Sequence, residues 1–447
     1  MSFDYDLFVI GAGPGGLAAA ERAASYGARV AIAERDQVGG TCVVHGCIPE
    51  KMLTYAASFS RFFKNADEYG WGKVSESFDW SQFMAAKDRD IQHLSQVHQQ
   101  HLQEAGVKLL LGHAQFLDAH TIEVEERRYT AEKILIAVGG KAVKPTEIPG
   151  IEHAITTREM LNLEQQPDHL AIVGGNHIAV KLAGIMNGLI SKVTLVVPED
   201  QILQGCDQDL QTTVLAGMTR LGIRVCCNSQ VEKIEQTQEY LNLALSCSGE
   251  PITVETVVFA TSRVPNLEGL GLVAVGIEVE EGTIAVDDYS RTAQANIFAV
   301  GDCTSRPHWT PVAIAAGRAF ADTEFGKNSR TVSYEQIPYV VSSKPEAATI
   351  GLTEAQAHEK LGESVRCYRK KFQPLFNLMG ESEQEALLKL VVDGHSDRIL
   401  GAHMVGEYAA EVIQMIAPAM KAGVTKQHFD SAIGIHPSIS EEFFTLQ

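Results

Sequence analysis

The chain has 447 residues, 45% of them hydrophobic and 21% charged, and a formal net charge of −19. That composition suits a folded protein of about three domains with sizeable cores, and the acidic surplus argues against nucleic acid and anionic membranes, which recruit Lys and Arg. No apolar run approaches the ~18 residues of a bilayer-spanning helix, and eight cysteines are too sparse for a secreted disulfide scaffold, so a reducing, cytoplasmic setting is expected.

The first element is the apolar strand Asp6–Ile10, which leaves no room for a signal peptide. Gly11-Ala12-Gly13-Pro14-Gly15-Gly16 follows, then an Ala-rich helix from Leu17 to Tyr26, closed by Gly27, and a strand from Arg29 to Ala33 ending at Glu34. The acid falls 18 positions after Gly16. This is a βαβ unit with a G-x-G-x-x-G turn. Gly13 lets backbone approach a pyrophosphate at the helix N-terminus, and Glu34 is spaced to accept from a ribose hydroxyl. Next comes Gly39 to Lys51, in which Cys42 and Cys47 are separated by four residues. Two thiols on one helical stretch can close a small disulfide ring that a bound redox cofactor could reach. From Ser58 to Leu102 the pattern predicts long amphipathic helices, and Ile134–Val138 is another apolar strand.

Pro145 and Pro149-Gly150 punctuate the approach to a second βαβ unit. It runs through Leu170–Val173, the turn Gly174-Gly175-Asn176-His177-Ile178-Ala179, a helix to about Ile190 and the strand Val193–Val197. The two turns begin 163 residues apart, so two nucleotide-binding folds are expected. Short strands recur at Val257–Ala260 and Ile297–Val300, and a segment with strands and helices runs from about Ser333 to the end.

Four stretches carry a resemblance: Gly39–Lys51, Asn296-Ile297-Phe298-Ala299-Val300-Gly301-Asp302, Thr310-Pro311-Val312-Ala313 and His436-Pro437-Ser438-Ile439-Ser440-Glu441-Glu442. Over essentially its whole length the chain resembles the pyridine nucleotide-disulfide oxidoreductases, most closely the glutathione reductases. The resemblance implies an α/β protein with two Rossmann-like dinucleotide-binding domains and a C-terminal α+β dimerisation domain. Its parts would be an FAD-binding domain (1–140), an NAD(P)-type domain (141–264), a central domain completing the FAD site (265–332) and an interface domain (333–447). FAD would lie along Gly11, Gly13, Gly15 and Gly16, with Glu34 on its ribose. Ala114 would lie near adenine, and Thr41, Asp302 and Thr310 would hold the remainder. Cys47 would face the flavin, and Cys42 would attack the substrate disulfide. His436, oriented by Glu441, would exchange the thiol proton and reach the site from the other subunit of a homodimer. Arg318 matches an arginine that binds glutathione.

Departures from the family cluster at the electron-supply end. Asn176 stands where the second turn should have a glycine. Counting 18 positions from Ala179 lands on Val197, so no acid is expected on an NAD ribose. The cations that grip the 2′-phosphate of NADPH are replaced by Pro198, Glu199 and Gln204. Charge-assisted hydrogen bonds are worth about 1.5–3 kcal/mol each, so losing two weakens NADPH roughly 10²- to 10⁴-fold. Glu50 and Lys181 reverse the family's Lys–Glu pair beside the flavin, and His177 replaces an aromatic gate. On the substrate side, Glu21 stands where a cation is expected. The expected activity is electron transfer between FAD and a Cys42–Cys47 disulfide, acting on glutathione or a related disulfide or dithiol, with NADPH binding impaired or lost. An ordinary NADPH-dependent glutathione-disulfide reductase and a non-catalytic flavin-bound redox sensor are the alternatives. The other six cysteines show no ligand spacing, and no metal is expected.

Overall fold

The computed structural model describes residues 3–74, 77–246, 250–379 and 384–447; Cys247 lies outside them. The chain divides into two compact units: Met1–Glu50 with Ser81–Val143 and Ser262–Tyr334, and Lys51–Trp80 with Lys144–Thr261 and Glu335–Gln447.

The first unit is built on parallel strands. Tyr5–Ile10 pairs with Val30–Glu34 on one side and Arg127–Ile136 on the other. Lys108–Leu111 and Ile297–Ala299 extend the parallel part, while Thr121–Val124 and Ala114–Asp118 add an antiparallel edge. Alternate residues serve opposite faces. Phe8, Ile10, Ile134 and Ile136 pack on one side, and Leu7, Val9, Ile32 and Phe298 pack with Leu17, Ala20 and Phe320 on the other. Burial on both faces explains the unbroken apolar runs. The first helix spans Pro14–Ser25, starting three residues before the sequence expectation because proline at the first helical position is pre-organised. The predicted amphipathic stretch becomes two helices, Cys47–Lys64 and Trp80–Glu104.

The second unit holds a five-stranded parallel sheet in the order Arg224–Cys226, Lys192–Val196, His169–Val173, Thr256–Phe259, Ile155–Thr156. The helix His177–Gly188 follows the central strand. The unit also holds a five-stranded sheet, antiparallel throughout, which runs Tyr339–Val341, Ala347–Gly351, Ile399–Val405, Ala386–Asp393, Val365–Phe372. Its core joins Ile350, Leu388, Leu390 and Met404 to Ile413, Ile416 and Met420 of the helix Ala409–Lys421. Lys389, 1% exposed on its side chain, crosses this core to three carboxylates: Asp207 (2.8 Å), Asp209 (2.7 Å) and Glu354 (2.6 Å). An ammonium sealed from water persists only where such partners offset its desolvation. Among the described residues no helix is long and apolar enough to cross a membrane.

Candidate active site

Gly13 caps the helix Pro14–Ser25 in an extended conformation, and no side chain caps that end. A Cβ on Gly13 would meet only Gly40 Cα, at 3.9 Å, so protein packing does not require glycine there. The room over the helix N-terminus is what a pyrophosphate needs. Glu34 is buried, with Oε2 accepting from the Ala12 N–H and Oε1 from the Asp36 N–H, both at 2.8 Å. Those bonds fix the carboxylate against the turn while leaving lone pairs for ribose hydroxyls. The residues present therefore fit the adenosine-diphosphate half of FAD. Ala114 is buried at the start of its strand. Asp302 is held by Arg263 at 3.3 Å, and Thr310 opens the helix Thr310–Glu324, with Arg318 exposed on its surface.

Thr41 and Cys42 lie on the short helix Gly40–Val44, and Cys47 is the first residue of Cys47–Lys64. A helix start favours a thiolate. Cys47 Sγ lies 3.6 Å from Thr310 Oγ1. The Cys42 thiol is pushed far above the ordinary range, first by its hydrogen bond with Cys47, then by burial and the charge of Cys47. The nearby Glu50 anion adds to the rise, and a hydrogen bond with Thr310 opposes it. Glu50 is 6% exposed, one turn beyond Cys47. The two sulfurs are thus joined by a hydrogen bond, and Cys42 keeps its proton. Releasing that proton requires a base.

His436 and Glu441 are paired as a base and its orienter would be, with Nδ1 3.1 Å from each carboxylate oxygen. The carboxylate can only accept, so Nδ1–H donates to it and Nε2 is left to exchange a proton. The Ser438 N–H also donates to Glu441, at 3.1 Å. The His436 side chain is 82% exposed, as a group acting on another subunit would be.

The second turn is built differently from the first. Asn176 caps the helix His177–Gly188 with its own side chain: Oδ1 accepts from the Ile178 N–H (2.9 Å) and the Ala179 N–H (3.1 Å). Its Nδ2 donates to the Ala260 carbonyl at 2.5 Å. The backbone at Asn176 is extended, φ −78°, so the substitution is not strained. Its side chain occupies two amides of the helix's first turn, a role the sequence expectation missed although Asn is a preferred N-cap residue. His177 and Lys181 are half-buried on this helix. Val197, where counting placed the missing acid, is fully buried. Pro198 and Glu199 are half-buried and Gln204 is exposed. A Cβ added to Gly175 would come within 2.7 Å of Val197 Cγ1 and 3.1 Å of Glu199 Oε2. Among the described residues no His, Cys, Asp and Glu side chains group to hold a metal ion.

A family model described as pyridine nucleotide-disulphide oxidoreductase matches residues 5–317, and the dimerisation domain of that family matches residues 337–447. The chain is 50% identical to a glutathione reductase of Nostoc sp., with both chains covered in full. It is 42% identical to a glutathione reductase of Burkholderia cepacia, covering 100% of this chain and 99% of that one. It is also 38% identical to the chloroplastic/mitochondrial glutathione reductase of Pisum sativum, covering 100% and 82%. Among solved structures it is similar to the HOCl-induced flavoprotein disulfide reductase RclA from Escherichia coli, with TM-score 0.89, 26% identity and 99% of each chain covered.

Proposed function

The chain belongs to the pyridine nucleotide-disulphide oxidoreductase family and is a flavin-dependent disulfide oxidoreductase of the glutathione reductase type; within that frame we propose that it reduces glutathione disulfide or a close relative, and that NADPH is a poor electron donor to it. The observation that carries the first part is the placing of Cys42 and Cys47 within hydrogen-bond contact of each other, with Cys47 Sγ 3.6 Å from Thr310 Oγ1 at the start of the helix Thr310–Glu324. FAD, held along Gly11 to Gly16 and by Glu34, Thr41, Ala114, Asp302 and Thr310, would supply two-electron chemistry when bound.

The remaining steps belong to this chain's own residues. His436 of the partner subunit takes the Cys42 proton through Nε2, while Glu441 holds the ring and steadies its charge. The Cys42 thiolate attacks one sulfur of the substrate disulfide, forming a mixed disulfide and releasing one thiolate, which recovers the proton from His436. Cys47 then attacks the Cys42 sulfur as a thiolate, the second substrate sulfur leaves as a thiolate that takes its proton from solvent, and the Cys42–Cys47 disulfide closes. Two thiols are oxidised and one disulfide is reduced. Arg318 would meet a glutathione carboxylate, and a cytoplasmic setting would keep the pair in use. The poor use of NADPH is supported by the Asn176 cap and by the absence of cations at Pro198, Glu199 and Gln204.

The relatives are named glutathione reductases, and a second possibility is an ordinary enzyme of that kind that takes its electrons from NADPH. It differs only in the donor half. The disulfide half is tested by reducing the protein with dithionite, removing the excess, and adding glutathione disulfide. About four glutathione thiols should be released per chain, two from the dithiol and two from the reduced flavin behind it, and none should be released by Cys42→Ser. Absence of release from the unmodified protein overturns the assignment.

A further inference from the structure

Glu199 stands where a cation would grip a 2′-phosphate, yet its place in the fold gives it a second role. Its Oε2 is sealed from solvent and has no hydrogen-bond partner. A carboxylate oxygen so placed is costly unless a donor meets it, and Glu199 sits in a surface loop between half-buried Pro198 and exposed Asp200, where turning outward would remove the cost. The loop does not leave it that freedom. The Asn228 N–H donates to the Glu199 carbonyl at 2.8 Å, and the Leu203 N–H donates to the Gly175 carbonyl at 2.6 Å. The second bond ties the segment to the second turn, and the first ties it to the residues that follow the strand Arg224–Cys226. The carboxylate therefore lies against Gly175, with Oε2 3.1 Å from the position of a Cβ there.

The first βαβ unit of the same chain supplies the comparison. Gly11-Ala12-Gly13 and Gly174-Gly175-Asn176 occupy equal places in their turns, so Gly175 is the counterpart of Ala12. Ala12 is the residue whose N–H meets Glu34. Both acids follow the second strand of their unit and both lie against the middle residue of the turn. Glu34 ends the strand Val30–Glu34, whereas Glu199 lies three residues beyond Lys192–Val196. Val197 and Pro198 lengthen this connection, which is why counting along the sequence missed the acid. Glu34 is satisfied by two backbone donors; Glu199 Oε2 is satisfied by none. The missing donors are what a ribose with free hydroxyls would bring to this end of a parallel sheet.

We infer that Glu199 is the specificity residue of the second nucleotide fold and selects a dinucleotide with free adenosine-ribose hydroxyls, NADH, over one with a 2′-phosphate. This rests on the reading above of a disulfide-reducing flavoprotein with a weak NADPH site, and it gives that site a preferred occupant. The Asn176 cap weakens both nucleotides alike, since both carry the same pyrophosphate, so the selection is seen in their ratio.

The test compares the holoprotein with Glu199→Gln. Half-saturating concentrations for anaerobic flavin bleaching are measured with NADH and NADPH, and thermal shifts with ADP-ribose and 2′-phospho-ADP-ribose. Both proteins are also examined in an Asn176→Gly background, where the amides are open. NADH should half-saturate at a concentration at least about tenfold lower than NADPH, and ADP-ribose should give the larger shift. Glu199→Gln should bring both ratios close to one. Equal or NADPH-favouring ratios in the unmodified protein, or ratios unmoved by Glu199→Gln, overturn the assignment. Failure of both nucleotides and both fragments to act even with Asn176→Gly also overturns it, while leaving the disulfide chemistry standing.

Discussion

Asn176→Gly is the change that most sharply separates a blocked nucleotide site from one that merely looks unusual. The side chain makes three hydrogen bonds, two from the first turn of its helix and one to Ala260. A pyrophosphate can take the Ile178 and Ala179 amides only after the cap lets go. The cap is worth about 1 kcal/mol and the bond to Ala260 about 1 kcal/mol more. Displacing both therefore costs about 2 kcal/mol, or roughly 30-fold in binding. Glycine retains most of the capping propensity, so the variant should lose only about 1 kcal/mol of stability, a small fall in melting temperature. The assay is anaerobic bleaching of the flavin at increasing NADPH or NADH. Half-saturation should move to roughly 30-fold lower concentration for both. A variant that loses stability but gains no nucleotide affinity would refute the reasoning and leave Asn176 as a structural cap.

Three other outcomes follow from the geometry. His436→Ala and Cys42→Ser should each abolish disulfide turnover; subunit exchange between them should restore about a quarter of the activity, since half the dimers are mixed and each has one intact site, whereas no recovery would place His436 and Cys42 in the same subunit's site. Lys389→Ala strips the cation from three carboxylates and should cost about 3–5 kcal/mol in chemical denaturation; a loss below 1 kcal/mol would mean that the cluster is hydrated. His403 is fully buried, and burial holds its pKa down to about 4 despite the opposing Asp207. Between pH 6.5 and 4 the unfolded chain binds the proton that folded His403 refuses, so this contribution is complete above pH 6.5 and lost as pH falls. Going from pH 7 to 4.5 should cost about 2–3 kcal/mol, and His403→Gln should flatten denaturation midpoints over that range.

The first βαβ unit was legible because both its periods are local: strand, glycine turn, helix and Glu34 follow at fixed spacing. The cysteine pair was legible for the same reason. His436 and Glu441 stood out as a motif, and the structure shows the hydrogen bonds that join them. The second turn was legible only as a departure. That Asn176 would turn back and cap its own helix depends on the side-chain rotamer and on the Ala260 carbonyl, 84 positions away. Glu199 lies two residues beyond the position that counting marks, so its place against Gly175 shows only in the packing. The Lys389 cluster, drawn from positions 207, 209, 354 and 389, carries no local pattern.

The central claim, a working disulfide end joined to a weakened NADPH site, is tested most directly in one cuvette. The oxidised holoprotein is mixed anaerobically with NADPH, the flavin absorbance is followed, and a dithiol is then added. The flavin should stay largely oxidised through the first addition at concentrations that saturate ordinary reductases, then bleach promptly on the second. Prompt bleaching by NADPH alone would contradict the claim.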